Sequence, residues 1–353
     1  MHCVRLALSS RCFVVSDYSR VCSQLVSIRK VMSSSRPKIF VTRDDFPGIE
    51  LLKEKAEIEV FKGTQPSKDE IIAGLKGKQA IYCSLNDRID KDVLDACKDS
   101  LKVIGTMSVG VDHLAWRLCF ERGIRIGYTP IILTEAVAEL TMALLLATSR
   151  RLFEAHNEIL QNRWSSWSPM WMCGPGLHEA TVGIFGFGRI GQEVARKLKA
   201  FRVKKIIYSR FSPGEIENDV GAIKVDADEL LKESDFLIVL CSLNENTQHF
   251  FNKDRFAQMK PSAIFINVSR GGVVVQDDLI DALKRNVIKA AGLDVTTPEP
   301  LKADHPLLAL PNCVVIPHIG SATYKSRNEM GEATSQNILL GLEGKPMIHE
   351  WKG

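Results

Sequence analysis

The sequence predicts an α/β fold with two parallel-sheet domains, and three observations carry that expectation. Short apolar runs alternate with helical stretches along nearly the whole chain, and strands separated by helices pair in parallel beneath helices on both faces. The alternation comes in two series, parted by one long apolar segment that reads as helix. The length of 353 residues, 45% hydrophobic and 25% charged, supplies apolar material for two cores.

The first 36 residues stand apart. Arg5, Arg11, Arg20, Arg29, Lys30 and Arg36 face Asp17 alone, so the net charge of +4 lies entirely in this segment and the remainder is close to neutral. A basic, serine-rich, acid-poor start has the composition of a mitochondrial presequence. Initiation at Met32, in "KVMSSSRPKIFVTR", would instead give a cytoplasmic protein that begins just before the first strand. A near-neutral body offers no electrostatic footprint for nucleic acid. No apolar run is long enough to span a bilayer, and "MALLLATS" fits within a buried helix. The nine cysteines are odd in number, lack pairs at metal-ligand spacing and follow no secretory leader. They read as reduced thiols in an intracellular protein without a metal site.

From residue 37 the elements follow in order. "KIFVT", "QAIYCSL" and "LKVIGTMSVG" read as strands of a first sheet, with helices in the Lys-, Glu- and Leu-rich stretches between them. "LTEAVAELTMALLLATSRR" reads as a helix with Thr134 as N-cap and Glu135 in its first turn. It is apolar nearly all round, as suits a helix buried between domains. "RWSSWSPMWMCGPG" then sets Trp164, Trp167, Met170 and Trp171 in one loop-like segment. Exposed together they form an apolar patch of a kind monomers seldom tolerate, so a homodimer is expected. The second series runs from "ATVGIFGFGRIG" through "KKIIYS", "FLIVLCSL", "AIFINVSRG", "AAGLDVTTPEP" and "VVIPHIG". A last helix, from about Ser321 to Leu342, can return to the first domain and leave the second as an insertion.

Gly186, Gly188 and Gly191 make a G-x-G-x-x-G pattern around Phe187, Arg189 and Ile190, after a strand-like run and before a helical one. That context is the one a dinucleotide-binding turn demands. The first glycine makes the tight turn, the second admits a pyrophosphate to the backbone, and the third lets helix and strand pack closely. The helix N-terminus adds free N–H groups and partial positive charge. The next strand, "KKIIYSR", should end beside the adenine ribose, where an NAD site usually shows a carboxylate. Here stand Ser209, Arg210 and Ser212, with no acid before Glu215. An arginine flanked by hydroxyls suits a phosphate, so NADP(H) is expected over NAD(H).

Ligands in open α/β sheets bind beyond the carboxyl ends of the strands. Four such ends offer Ser108, Val109 and Gly110; Ser269 and Arg270; Asp294 with Glu299 shortly after; and His318. Each has a bland reading alone, as a surface ion pair, a turn acid or a turn histidine. Together they make a coherent site for a 2-oxo acid. An arginine can hold its carboxylate and polarise its carbonyl. An imidazolium can protonate the carbonyl oxygen while hydride reaches carbon. A neighbouring carboxylate orients that ring and favours its charged form. Backbone N–H groups near Val109 and Gly110 can take the other side of the substrate carboxylate.

At this point the chain resembles the D-isomer-specific 2-hydroxyacid dehydrogenases, most of all their glyoxylate reductase/hydroxypyruvate reductase branch. "TMSVGVDHLA", "GYTPIILTEAVAELTMALLLATSRR", "TVGIFGFGRIGQ", "INVSRGGVVVQDDLIDAL", "AAGLDVTTPEPL" and "PHIGSAT" carry the likeness in order, across roughly residues 37 to 350. The resemblance implies two Rossmann-like domains. A nucleotide-binding domain, 134–319, is inserted into a split substrate-binding domain, 37–133 and 320–353. It implies NADPH-dependent reduction of glyoxylate to glycolate and of hydroxypyruvate to D-glycerate. In it Arg270 binds substrate with Val109, Gly110 and Ser321, Glu299 pairs with the acid–base His318, and Ser242, Val268, Asp294 and Gly320 line the cofactor cleft. Gly272 departs from the family, which commonly has an acid there. Two alternatives stay open: a dehydrogenase for another D-2-hydroxy acid, and a nucleotide-sensing corepressor that keeps the same three residues on this fold.

Overall fold

The computed structural model describes residues 36–211 and 218–353. Residues 1–35 of the leader and Ser212 therefore lie outside the described residues. Two sheets organise the rest. The first has the order β2-β1-β3-β4-β5, with β1 Lys38–Val41, β2 Glu57–Val60, β3 Ala80–Cys83, β4 Val103–Thr106 and β5 Arg125–Gly127. The second has the order β12-β11-β10-β9-β6-β7-β8. Its strands are β6 Thr181–Phe185, β7 Lys205–Ser209, β8 Ile223–Lys224, β9 Phe236–Val239, β10 Ile264–Asn267, β11 Ala290–Leu293 and β12 Cys313–Val315. Neighbouring strands in both sheets run parallel.

The central strands β3, β4, β9, β10 and β11 are buried at every position. Parallel strands covered on both faces need unbroken apolar runs, which is why these were legible. Sequence reading missed β2, β5 and β8, which all lie at sheet edges. β2 and β8 pair on one side only, and "EIEV" and "IK" carry no apolar run, while β5 is only three residues long and its outer side is met by the chain end, the Trp351 N–H donating to the Ile126 carbonyl.

The long helix spans Thr134–Ser149 and packs on β10, β11, β12 and the helix Arg189–Lys199. Thr134 is its first residue, not its N-cap. The cap is Leu133, with no side-chain bond. A turn already closes from Thr134 N–H to the Ile131 carbonyl, so the chain enters the helix one residue before the hydroxyl could cap it. Glu135 does sit in the first turn and pairs with Lys197 at 2.7 Å.

The closing helix spans Tyr324–Leu342, starting three residues later than expected, with the Thr323 side chain accepting from the Ser326 N–H at its cap. The delay has a cause: Ile319 and Gly320 give their N–H groups to the Asp294 carboxylate, at 2.7 and 2.9 Å, which holds 318–323 in a turn. This helix packs on β3, β4, β5 and the helix Ile49–Lys55, so the chain returns to the first sheet. Buried Asn337 secures the return, donating to the Tyr128 carbonyl and accepting from the His349 N–H. Arg125 and Glu350 add a bidentate pair at 2.7 and 2.8 Å.

Candidate active site

The strand order places two switch points on the molecule. In the second sheet β6 lies between β7 and β9, and the chain leaves it in opposite directions. The turn after β6 is where such sheets bind nucleotides. Gly186 has φ +99°, and a Cβ there would lie 2.5 Å from the Cys241 nitrogen after β9. A Cβ on Gly191 would lie 2.5 Å from the Gly186 carbonyl oxygen, whereas one on Gly188 would meet nothing within 4 Å. The first and third glycines are thus required by the backbone itself. The second borders open space at the start of the helix Arg189–Lys199, whose cap carries no side-chain bond. That turn fits a pyrophosphate. Arg189 is exposed and Ile190 half-buried in the first turn of that helix, so their backbone N–H groups border the same space. The Phe187 side chain is committed to the core, stacked on Tyr208 at 4.1 Å.

The Ser209 carbonyl accepts the Gly186 N–H at 2.8 Å, so the end of β7 is tied to the same turn, and Arg210 follows directly. Val268 is buried and Ser242 is exposed, each beyond the end of its strand.

His318 lies beyond β12 in a left-handed conformation, φ +53°. Its N–H donates to the Asp294 carbonyl at 2.8 Å, and its Nδ1 lies 2.8 Å from Glu299 Oε2. The other Glu299 oxygen accepts the Thr296 N–H at 3.0 Å. The carboxylate is therefore held at both oxygens, and His318 Nε2 is left with no partner among the described residues. Burial works to raise the Glu299 carboxyl. The bond and charge of His318, the Thr296 N–H and the Arg270 charge outweigh it and hold Glu299 below its ordinary value. For Asp294 burial prevails, pushing its carboxyl up to about 6 against the Ile319 and Gly320 N–H bonds and the His318 charge. The sequence-chosen residues Asp294, Glu299, His318 and Gly320 thus form one bonded unit.

Arg270 follows β10 on a turn set by Asn267, whose side chain accepts from Ser269 and donates to the Arg270 carbonyl. Its Nε lies 3.2 and 3.3 Å from the two oxygens of Asp112, a residue beyond β4 of the first sheet, and Nη1 donates to the Ser269 carbonyl. Arg270 is also packed tightly against Gly110, where a Cβ would overlap its Nη2. So Arg270 meets the 109–110 turn as expected, through an acid that sequence reading passed over. Behind that turn, His113 Nε2 pairs with Thr106 Oγ1, which pairs with Ser108 Oγ, which donates to the Gly110 carbonyl. Burial drives His113 down to about 4, with Asp112 opposing and Arg270 adding to the effect, so the ring is a neutral brace at physiological pH.

A cleft of about 800 Å³ opens beside His318 and Glu299. Its other wall comes from the segments after β1 and β3, Arg43 with Asp45, Phe46 and Pro47, and Ser84 to Asn86, and from Arg327 of the closing helix. These lie at the switch point of the first sheet, where β1 stands between β2 and β3. Sequence reading missed them, although the strand-end rule covers both loops.

The family described as "D-isomer specific 2-hydroxyacid dehydrogenase, NAD binding domain" matches residues 142–320. The chain is 51% and 50% identical over 321 residues to the glyoxylate reductase/hydroxypyruvate reductases of Mus musculus and Homo sapiens, covering 89% of this chain and 98% of each relative. The structure of an NADPH-dependent glyoxylate/hydroxypyruvate reductase from Sinorhizobium meliloti, solved with NADP and malonate, is 30% identical with a TM-score of 0.79, covering 90% of this chain and 97% of that one.

Proposed function

The chain belongs to the D-isomer-specific 2-hydroxyacid dehydrogenases, and from that premise we propose that it reduces glyoxylate to glycolate and hydroxypyruvate to D-glycerate with NADPH. The observation that carries this reading is the Glu299–His318 pair, locked at Nδ1 with Nε2 left for substrate, together with Arg270 beyond the adjacent strand. The relatives' names and the NADP in the Sinorhizobium meliloti structure support it. We assign residues 37–133 and 320–353 to the substrate-binding domain and 134–319 to the nucleotide-binding one.

When bound, the dihydronicotinamide supplies the hydride. The remaining work falls to the chain. Arg270 and the 109–110 backbone hold the substrate carboxylate, and Arg270 also draws electron density from the carbonyl. His318, protonated at Nε2, donates to the carbonyl oxygen as it becomes an alkoxide, and Glu299 stabilises the imidazolium and keeps its ring in plane. Arg189 and Ile190 N–H groups and Gly188 would cradle the pyrophosphate, with Val268, Ser242, Asp294 and Gly320 walling the nicotinamide and Ser321 beside the substrate. Purified protein should oxidise NADPH on addition of either acid. Absence of turnover with both would sink the assignment and favour the corepressor alternative.

We also propose a homodimer. The helix Leu152–Leu160 buries none of its residues, and Trp164, Trp167, Met170 and Trp171 after it stay exposed, Trp167 to 80% and Met170 to 79%. Exposed apolar side chains gathered in one segment in this way call for a partner. Sedimentation at micromolar concentration should give twice the chain mass, and a monomer would refute the proposal. Among the described residues no helix is long and apolar enough to cross a membrane. Initiation at Met32 would leave the protein in the cytoplasm and initiation at Met1 would present the basic leader for mitochondrial import. Imaging chains started at each methionine separates the two.

A further inference from the structure

Arg327 lines the cleft with Asp294, Glu299 and His318, and the reaction as described leaves it without a task. It is half-buried. Its guanidinium makes no hydrogen bond or ion pair among the described residues, whereas Arg43 in the same cleft donates to the Thr64 carbonyl and Arg270 to Asp112 and Ser269. Burial lowers Arg327 from the usual arginine value and the Asp294 charge opposes that, yet an arginine stays charged at neutral pH. It also sits in the first turn of the helix Tyr324–Leu342, where the helix dipole disfavours a cation. A half-enclosed cation with five donors, set against the dipole and lacking a partner, is stabilised when a ligand oxygen meets it.

The position of the cleft says which ligand oxygen. Arg270 does not line it, and His318 does. A 2-oxo acid held by its carboxylate at Arg270 and by its carbonyl at His318 therefore sends its remaining substituent past His318 into the cleft. Glyoxylate carries only hydrogen there, pyruvate a methyl group and hydroxypyruvate a hydroxymethyl group. We propose that Arg327 donates to the oxygen on C3 of the substrate and so selects hydroxypyruvate over 2-oxo acids that lack that oxygen. The proposal rests on the reading of this site as a 2-oxo acid reductase.

The test compares kcat/KM for glyoxylate, pyruvate and hydroxypyruvate in the wild-type enzyme, Arg327→Gln and Arg327→Lys, with NADPH binding measured by fluorescence to show that each is folded. Arg327→Gln should lose about tenfold on hydroxypyruvate, in keeping with one charge-assisted hydrogen bond, and stay within about twofold on the other two acids. Arg327→Lys, which keeps the cation, should fall between the glutamine variant and wild type on hydroxypyruvate. Equal losses on all three acids, or none on hydroxypyruvate, would overturn the proposal while leaving the reductase reading intact. A wild-type enzyme inactive on both glyoxylate and hydroxypyruvate would overturn the reductase reading and the proposal with it.

Discussion

His318→Ala should lower kcat by ~10²–10⁴-fold with either acid, the range typical of general acid catalysis, while NADPH binding changes little. Three features set the size of that loss. The ring is fixed before substrate arrives, because its backbone N–H is tied to the Asp294 carbonyl and its Nδ1 to Glu299. Glu299 is ionised at neutral pH, being held below its ordinary value, so it can carry the imidazolium through the transfer. Asp294 cannot take over from the imidazole, since both its oxygens accept from the Ile319 and Gly320 N–H groups. Cofactor binding is spared because the Gly186–Gly191 turn lies on a different strand end and shares no hydrogen bond with His318. Turnover of the variant near that of wild type would remove His318 from the proton-transfer step and leave it a loop residue.

The same geometry shows what the sequence could and could not disclose. Central strands announce themselves because burial on both faces demands apolar runs, as in "FLIVL" and "AIFIN". Edge strands such as Glu57–Val60 pair on one side only and keep charged residues. Site residues were legible where chemistry and position coincide, at the ends of β10, β11 and β12. Asp112 was not, because nothing in "SVGVDHLA" distinguishes a surface acid from one that reaches across to Arg270. That contact exists only once two sheets face one another. Arg327 was less legible still. On a helix an arginine is ordinarily a solvated residue, and only the fold turns this one into the cleft. The Arg43 and Ser84–Asn86 loops could have been found by asking the strand-end question of β1 and β3 as well.

Arg210→Ala should weaken use of NADPH roughly tenfold to hundredfold and leave use of NADH almost unchanged. Ser209 is the last residue of β7, and its carbonyl accepts the N–H of Gly186, so this strand end is bonded to the turn proposed to hold the pyrophosphate. The adenosine ribose lies one strand over from that turn in a dinucleotide fold, beyond β7. An NAD site places a carboxylate there to bind the ribose hydroxyls, and that carboxylate would repel a 2′-phosphate. Tyr208, Ser209 and Arg210 stand here instead. A guanidinium can give a phosphate charge-assisted hydrogen bonds, each worth about 1.5–3 kcal/mol. Since about 1.4 kcal/mol is a factor of ten, a single such bond accounts for a preference of the predicted size. NADH has no phosphate at that position and so loses nothing when the bond is removed. If kcat/KM for both cofactors fell equally, Arg210 would be supporting the loop after β7 through its neighbours. If the wild-type enzyme favoured NADH, the absence of an acid at the end of β7 would not be what sets cofactor choice.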